Sequence, residues 1–332
     1  MKALHLIAHG DPAQVVKIVD LPEPEPGPGE LVIAMEAAAI HLADIKIMVG
    51  EEGFRKDTFP FACGYEGVGR VTAVGAGVTE YKVGDRVFPP RGIGVYAQKV
   101  VGRAANTLPA PEGDAAQLAL TAINGLTAVV LLEDFGTFAP GDWILQNGAN
   151  SNCGRYLIVL AKERGLRTVN VVRRPEMVAE LTALGADAVV LDCEDEKELK
   201  RRVDAATGGA TLPVGIDMVA GTATNRIAHC VATNGTVVNY GYISGEMCQV
   251  HFRELFWRNI KLVGMSTGRG LAILSQETIR ALQADLAAKI ADGRLHAAIA
   301  ATYPLAQYAQ AFAHALRTGS DREGKVILLP NA

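Results

Sequence analysis

The 332-residue sequence predicts an α/β protein of two domains, a β-rich unit and a doubly wound parallel sheet. Three observations predict it. Residues 1–110 carry short apolar runs separated by Gly and Pro, the pattern of strands joined by turns. From residue 115 onward, strand-like and helix-like segments alternate, and crossovers of that length are what parallel strands require. The tail then holds a strand, a helix and a strand. Apolar residues make up 49% of the chain and charged residues 20%, enough to bury two cores and too few charges for disorder.

Taken in order, strands are expected over 31–35, 68–74, 86–88 and 95–101, where apolar and β-branched residues cluster. Residues 21–30 (LPEPEPGPGE) form a proline-rich connection that neither a helix nor a central strand accepts. Residues 115–132 are Ala- and Leu-rich with helical spacing. Strands then fall over 143–146, 168–172, 188–191, 215–219, 236–240 and 260–265. Helices fall over 153–164, 176–184, 194–207, 225–231 and 275–291. The tail supplies a strand over 298–303, a helix over 305–316 and a strand over 325–329.

Charge and composition exclude several function classes. The chain has 32 Lys and Arg against 36 Asp and Glu, a net charge of −4, so no general attraction to nucleic acid or anionic membrane is expected. No apolar run reaches the ~18 residues of a membrane span. The opening MKALHLIAHG reads as a strand rather than a signal peptide. Five scattered cysteines without a CxxC pair suit a reduced, cytoplasmic protein.

The strongest motif is Gln146-Asn147-Gly148-Ala149-Asn150-Ser151-Asn152-Cys153-Gly154, which follows a strand and opens a helix. That is where an α/β sheet holds a dinucleotide pyrophosphate, on free N–H groups at the positive helix end. The literal G-x-G-x-x-G is absent, and Asn150 and Asn152 are expected to take positive φ where glycine is usual. The alternative is an ordinary strand-to-helix loop. The next strand ends Val171-Val172-Arg173-Arg174, with two arginines where an acid would bind a ribose 2′-hydroxyl. Guanidinium groups suit a 2′-phosphate, so NADP(H) is the expected cofactor. The alternative is that both arginines only cover the following helix.

These segments resemble the zinc-free branch of the medium-chain dehydrogenase/reductase superfamily over nearly the whole chain. Within it the likeness is to NADPH-dependent trans-2-enoyl-thioester reductases of mitochondrial type, with quinone oxidoreductases as a neighbouring branch. Asn150 to Gly154 followed by Gly165 to Arg173, the loop Pro90 to Tyr96, and Asn124-Gly125-Leu126-Thr127-Ala128 carry it. The resemblance implies a GroES-like, partly open β-barrel over 1–115 with 295–332, a Rossmann sheet over 116–294, a cleft between the two domains, and a dimer formed through the strand at 260–265. It implies cofactor contacts by Asn124, by Asn150, Ser151, Asn152, Cys153 and Gly154, and by Arg173 and Arg174. It implies further contacts by Tyr240, Gly241, Tyr242 and Ile243, by Met265, Ser266 and Thr267, and by Lys325; for Lys325 the alternative is a solvated strand end. The zinc-dependent members of the superfamily hold their metal with Cys, His and Cys; this chain has His41, Tyr65 and Ile123 there, and no metal is expected. The enoyl-thioester reductases carry a tyrosine in the loop before their Gly-x-Glu-Gly motif, and 49–55 (VGEEGFR) has none.

The expected activity is reduction of an activated C=C bond, with Tyr65, Tyr96 and His41 as candidate proton donors. Arg55 and Lys56 either attract an acidic substrate such as a coenzyme A ester or are solvated loop charges. Two other readings keep the cofactor: a quinone or small enone reductase, and an NADPH-binding sensor without turnover.

Overall fold

The computed structural model describes residues 1–51, 53, 56–317 and 323–332. The chain divides into two compact units, Met1–Ile123 with Arg280–Ala332, and Asn124–Ile279.

The first unit begins with β1 (Lys2–Leu6), α1 (Pro12–Val15) and β2 (Val16–Asp20). It continues through β3 (Glu30–Ala39), α2 (Leu42–Val49), β4 (Phe61–Ala62), β5 (Gly67–Val74), β6 (Arg86–Phe88), β7 (Lys99–Arg103), β8 (Leu108–Pro109) and α3 (Ala115–Leu118). β3 is the central strand because its run LVIAMEAAA is buried almost throughout, leaving both edges for pairing. It pairs antiparallel with β5 on one side and with β7 through Glu30–Ala34 on the other. β1 forms a smaller antiparallel sheet with β2 and β4. Val95 to Gln98 was expected in the same strand as 99–101, but it joins β1 instead, through Leu4 N–H to Tyr96 O (2.8 Å) and Gln98 N–H to Lys2 O (2.9 Å). Leu4, Leu31, Ile33, Met35, Val71 and Tyr96 form the core of this unit with Phe312.

The expectation of β structure alone through residue 110 misses α2. LADIKIMV reads as well in alternation as in a helical repeat; capping decides it, with His41 N–H donating to the Asp44 carboxylate (2.8 Å) and Gly50 closing the helix. Likewise, 115–132 is not one helix. Asp114 caps α3, accepting from Ala116 N–H (2.8 Å), a π-turn follows over Thr121–Gly125, and α4 (Leu126–Glu133) starts anew. The Glu66 carboxylate draws the Ile123 N–H out of the helical ladder (2.7 Å).

The second unit carries β9 (Trp143–Asn147), α5 (Asn152–Glu163), β10 (Arg167–Val172), α6 (Met177–Leu184), β11 (Ala188–Leu191), α7 (Glu196–Thr207) and β12 (Val214–Asp217). It continues with α8 (Thr222–Cys230), β13 (Thr236–Asn239), α9 (Phe252–Phe256), β14 (Lys261–Gly264) and α10 (Thr267–Ala272). All six strands run parallel in the order β11-β10-β9-β12-β13-β14. Leu145, Val169, Val190, Leu199, Ile227 and Val237 pack together in one apolar cluster, and Ile158, Val172 and Leu181 in another. That double burial explains why these strands read as unbroken apolar runs.

The chain returns through α11 (Gln276–Ala291), β15 (Ile299–Pro304), α12 (Tyr308–Ala315) and β16 (Lys325–Leu329). β15 and β16 pair parallel, and β16 joins β3 at Ala38 and Ala39. The sheet of the first unit thus runs β15-β16-β3-β5-β6-β8, with β7 beside β3. The units change over at Ile123 and Arg280, later than 115 and earlier than 295. Gln117 holds α3 to the returning segment by pairing with both the O and the N–H of Ala297 (3.0 and 2.9 Å), and Arg280 reaches the Ala105 carbonyl.

Candidate active site

The dinucleotide turn follows from β9. Gly148 makes the reversal at φ +59°, a conformation open to glycine at little cost. Ser151 caps α5 by accepting the Gly154 N–H (3.1 Å). A Cβ on Gly154 would lie 2.6 Å from Ala149 O, so only glycine lets the helix start this close to the turn. Neither Asn150 nor Asn152 has positive φ, contrary to the sequence expectation; Gly148 alone supplies it, and Asn152 and Cys153 are the first, buried residues of α5. Arg155 braces the turn through Nε to Asn150 O (3.1 Å).

Polar residues tie the carboxyl ends of three strands together. The fully buried Asp217 accepts from Asn147 Nδ2 (2.6 Å), Thr224 Oγ1 (2.6 Å), Asn239 Nδ2 (3.1 Å) and the N–H groups of Val219 and Ala220 (3.0 and 3.1 Å). Asn147 Oδ1 returns a bond to Met218 N–H (2.7 Å). Sequence reasoning missed this network. Its signal was a polar residue closing each of three apolar strands.

Among the described residues, the buried side-chain atoms without a hydrogen-bond partner include two at positions expected to meet the cofactor, the Tyr240 hydroxyl and Asn124 Nδ2. Tyr240 lies beside Cys153 and Ser151 at the start of α5, and burial, with Cys153 close by, pushes its phenol well above the usual range. A buried polar atom without a partner costs free energy that a bound ligand restores. Gly241 to Ile243 continue past β13, and the Tyr242 and Ile243 side chains are exposed. Arg173 is exposed and Arg174 half-buried after β10, Arg174 lying 3.6 Å from Glu176. Met265 N–H bonds Asn239 O (2.8 Å), and the Thr267 and Thr127 hydroxyls meet at 2.7 Å. Met265 and Ser266 line a pocket of about 340 Å³ with Val130, Phe135, Arg269 and Ile273. A capped helix N-terminus, the Tyr240 hydroxyl and Asn124 Nδ2, and two arginines directly after β10 fit a phosphorylated dinucleotide, with Glu176 beside Arg174 an acid close by.

The first unit holds the candidate proton donors, and they differ sharply. Tyr96 has no exposed surface, and its hydroxyl donates to Ala39 O (3.0 Å), so it has neither access nor a proton to give. Tyr65 is half-buried with its ring over Gly92. His41 is buried and bonded on both ring nitrogens, through Nε2 to Glu66 Oε1 (2.5 Å) and through Nδ1 to Lys325 Nζ (3.1 Å). Burial raises the Asp44 carboxyl, and burial with Asp44 nearby pushes the Cys63 thiol up to about 12. Among the described residues no three His, Cys, Asp or Glu side chains gather where they could hold a metal ion. Phe54 and Arg55 lie outside the described residues; Lys56 sits 5.8 Å above the Phe61 ring.

The chain is similar to known proteins over nearly its whole length. The model described as the alcohol dehydrogenase GroES-like domain matches residues 27–112, and the one described as zinc-binding dehydrogenase matches 153–288. The mitochondrial enoyl-[acyl-carrier-protein] reductase of Bos taurus is 32% identical over 317 residues, covering 93% of this chain and 83% of that protein. The quinone oxidoreductase of Pseudomonas syringae superposes with a TM-score of 0.82 at 28% identity, over 99% of each chain. A mycobacterial protein complexed with NADPH superposes at 0.83 with 29% identity, over 99% of this chain and 100% of that one. The chain belongs to the medium-chain dehydrogenase/reductase superfamily, close to the mitochondrial enoyl-[acyl-carrier-protein] reductases and with quinone oxidoreductases among its structural neighbours.

Proposed function

We propose that this protein is a zinc-free, NADPH-dependent reductase of an activated double bond, with trans-2-enoyl thioesters as its substrate class. The carrying observation is the capped start of α5 together with Arg173 and Arg174 directly after β10. The nicotinamide, when bound, supplies the hydride. The chain's own part is to hold the phosphates on the N–H groups of α5, to face the 2′-phosphate with guanidinium groups, and to meet an amide with Asn124. The thioester reading rests on the Bos taurus relative, matched over nearly the whole chain. The zinc-free reading rests on His41, Tyr65 and Ile123, of which only His41 is a metal-ligand type, and both its nitrogens are engaged.

A homodimer fits the exposed edge of the parallel sheet. Leu262 of β14 is 38% exposed, and Phe252, Phe256 and Trp257 of the adjoining segment are 60 to 71% exposed. An unpaired edge beside an aromatic patch suits a second copy of the chain. A cytoplasmic location suits five cysteines of which none is in a disulfide.

Quinone reduction is the second reading. It is favoured by the loop 49–55, which lacks a tyrosine, because quinone oxygens take protons readily from water. Oxidation of NADPH by a short trans-2-enoyl coenzyme A ester, beside a benzoquinone and with NADH as control, separates the readings. Rapid NADPH-selective reduction of the thioester is expected; turnover of the quinone alone selects the second reading. Arg173→Ala with Arg174→Ala is expected to lower the NADPH preference about 10- to 100-fold, roughly 1.4–2.7 kcal/mol. Unchanged selectivity would remove both arginines from the phosphate site.

A further inference from the structure

The parallel sheet of the second unit reverses its order between β9 and β12. The chain passes from β9 to β10 and β11 on one side, then crosses back to lay β12, β13 and β14 on the other. In such sheets a ligand binds outside the carboxyl ends of the strands at that reversal. Asp217 closes β12 there, with no exposed surface. Among the described residues five donors reach its carboxyl group, all uncharged. Asn147 Nδ2 and the N–H groups of Val219 and Ala220 meet Oδ1, and Thr224 Oγ1 and Asn239 Nδ2 meet Oδ2. Only a group that accepts on both oxygens satisfies them all; an amide would set its own N–H₂ against donors. The bonds run into two loops. Asn147 precedes the Gly148 turn, and its Oδ1 accepts the Met218 N–H (2.7 Å). Asn239 precedes Tyr240 and divides its N–H₂ between Asp217 and the Gly241 carbonyl (3.0 Å). Met218 lies between the two: a Cβ on Gly241 would stand 2.3 Å from Met218 O, and one on Gly148 3.3 Å from Met218 Sδ. Ala220 holds φ +64°, a left-handed conformation uncommon for a residue with a side chain, and its N–H is one of those bound to Asp217. Such strain persists where the surroundings over-determine it.

We propose that Asp217 is a positioning residue of the cofactor site: one enclosed carboxyl group fixes the Gly148 turn and the Tyr240–Gly241 loop relative to each other before the dinucleotide arrives. This rests on the NADPH reading above. Asp217 acts through Asn147 and Asn239. Loops fixed in advance spare the ligand the entropy loss of ordering them, so the effect is read in affinity. It is also confined to one end of the cofactor. Arg173 and Arg174 follow β10, on the other side of β9, whereas the five donors to Asp217 belong to β9, β12, β13, α8 and the loop after β12. The 2′-phosphate end is held beyond β9, and the nicotinamide end extends over β12 and β13. Asp217 therefore governs the nicotinamide end and leaves the adenosine end alone.

The test compares Asp217→Asn and Asn239→Ala with the unaltered protein. It measures the Kd of NADPH by fluorescence titration, and by calorimetry that of adenosine 2′,5′-bisphosphate, which has the adenosine end and no nicotinamide. Asn239 is half-buried, and Asn239→Ala cuts the tie to Gly241 while leaving the carboxyl group in place. If Asp217→Asn does not fold, Asn239→Ala alone decides. Each folded variant is expected to bind NADPH about 10- to 100-fold more weakly, the worth of one hydrogen bond to a charged group, and adenosine 2′,5′-bisphosphate within about 2-fold of the parent. A joint that only holds the sheet together would lower Tm and weaken both ligands alike, and that result would overturn the proposal. Unchanged NADPH affinity would overturn it too. An unaltered protein that binds neither ligand would remove the cofactor reading itself, and the proposal with it, before any substitution is made.

Discussion

Asp44 lies in the first turn of α2 inside the first unit, 3% exposed, with Oδ2 on the His41 N–H and Oδ1 lacking a partner. Burial raises its carboxyl above the usual range, against the pull of His41, Tyr96 and Lys325. The sign follows from proton counting. A carboxyl whose folded value is raised binds more protons in the native state, so stability falls as pH rises from the ordinary Asp range through the folded value. The slope from one group is at most about 1.4 kcal/mol per pH unit. Asp44→Asn keeps an oxygen for the His41 N–H and removes the charge. Its Tm is expected to match or exceed that of the parent at pH 7.5 and to gain little at pH 4. A variant that loses stability more at pH 7.5 than at pH 4 would contradict this account. The same environment makes Cys63 inert: a thiol pushed up to about 12 is not a thiolate at neutral pH.

Among elements, α9 shows how a short helix of five residues is held without an apolar anchor of its own. Phe252, Leu255 and Phe256 face outward, and Phe252 and Phe256 stack with ring centroids 5.0 Å apart. What holds the helix is Glu254, fully buried, bonded to His229 Nδ1 (2.9 Å), Arg253 Nη2 (2.9 Å) and Arg258. Burial opposes its charge, and these hydrogen bonds overcome that and keep the carboxyl below its usual range. Its contribution is therefore present above the ordinary Glu value and is lost as pH falls through the lower folded value. Glu254→Ala leaves Arg253, Arg258 and His229 facing one another without their common acceptor, at an expected cost of about 3–5 kcal/mol. Denaturant midpoints measured at pH 7.5 check it; a loss under about 1 kcal/mol would show that the cluster behaves as an exposed one.

At the scale of the whole molecule, each unit carries its own core, and β14 leaves one sheet open at its edge. Light scattering at micromolar concentration is expected to give the mass of a dimer. Phe256→Glu with Trp257→Glu, both side chains being exposed, is expected to give a folded monomer with an unchanged circular dichroism spectrum. A monomer for the parent protein would remove the edge-pairing reading, and a dimer in the double variant would move the interface away from α9.

Strand and helix alternation from β9 to β14 was legible because these strands are buried on both faces and their helices show one apolar stripe, local patterns that any reader of the chain can find. The turn at Gly148 to Gly154 was equally legible, since the strand end, the capping serine and the helix start are consecutive. Other features depended on particular donor–acceptor pairs, local at α2 and far apart in the chain at the other two. α2 depends on a cap between His41 and Asp44, the break before α4 on Glu66 reaching Ile123, and the domain edge on Gln117 pairing with Ala297. The sequence alone identified Tyr96, Tyr65 and His41 as polar groups near one motif map. Only the tertiary structure buried Tyr96, bound both nitrogens of His41 and brought Lys325 from the far end of the chain to His41. Periodicity records which face of an element is buried. It carries no information about which distant donor meets which acceptor, and at this site those pairings decide the chemistry.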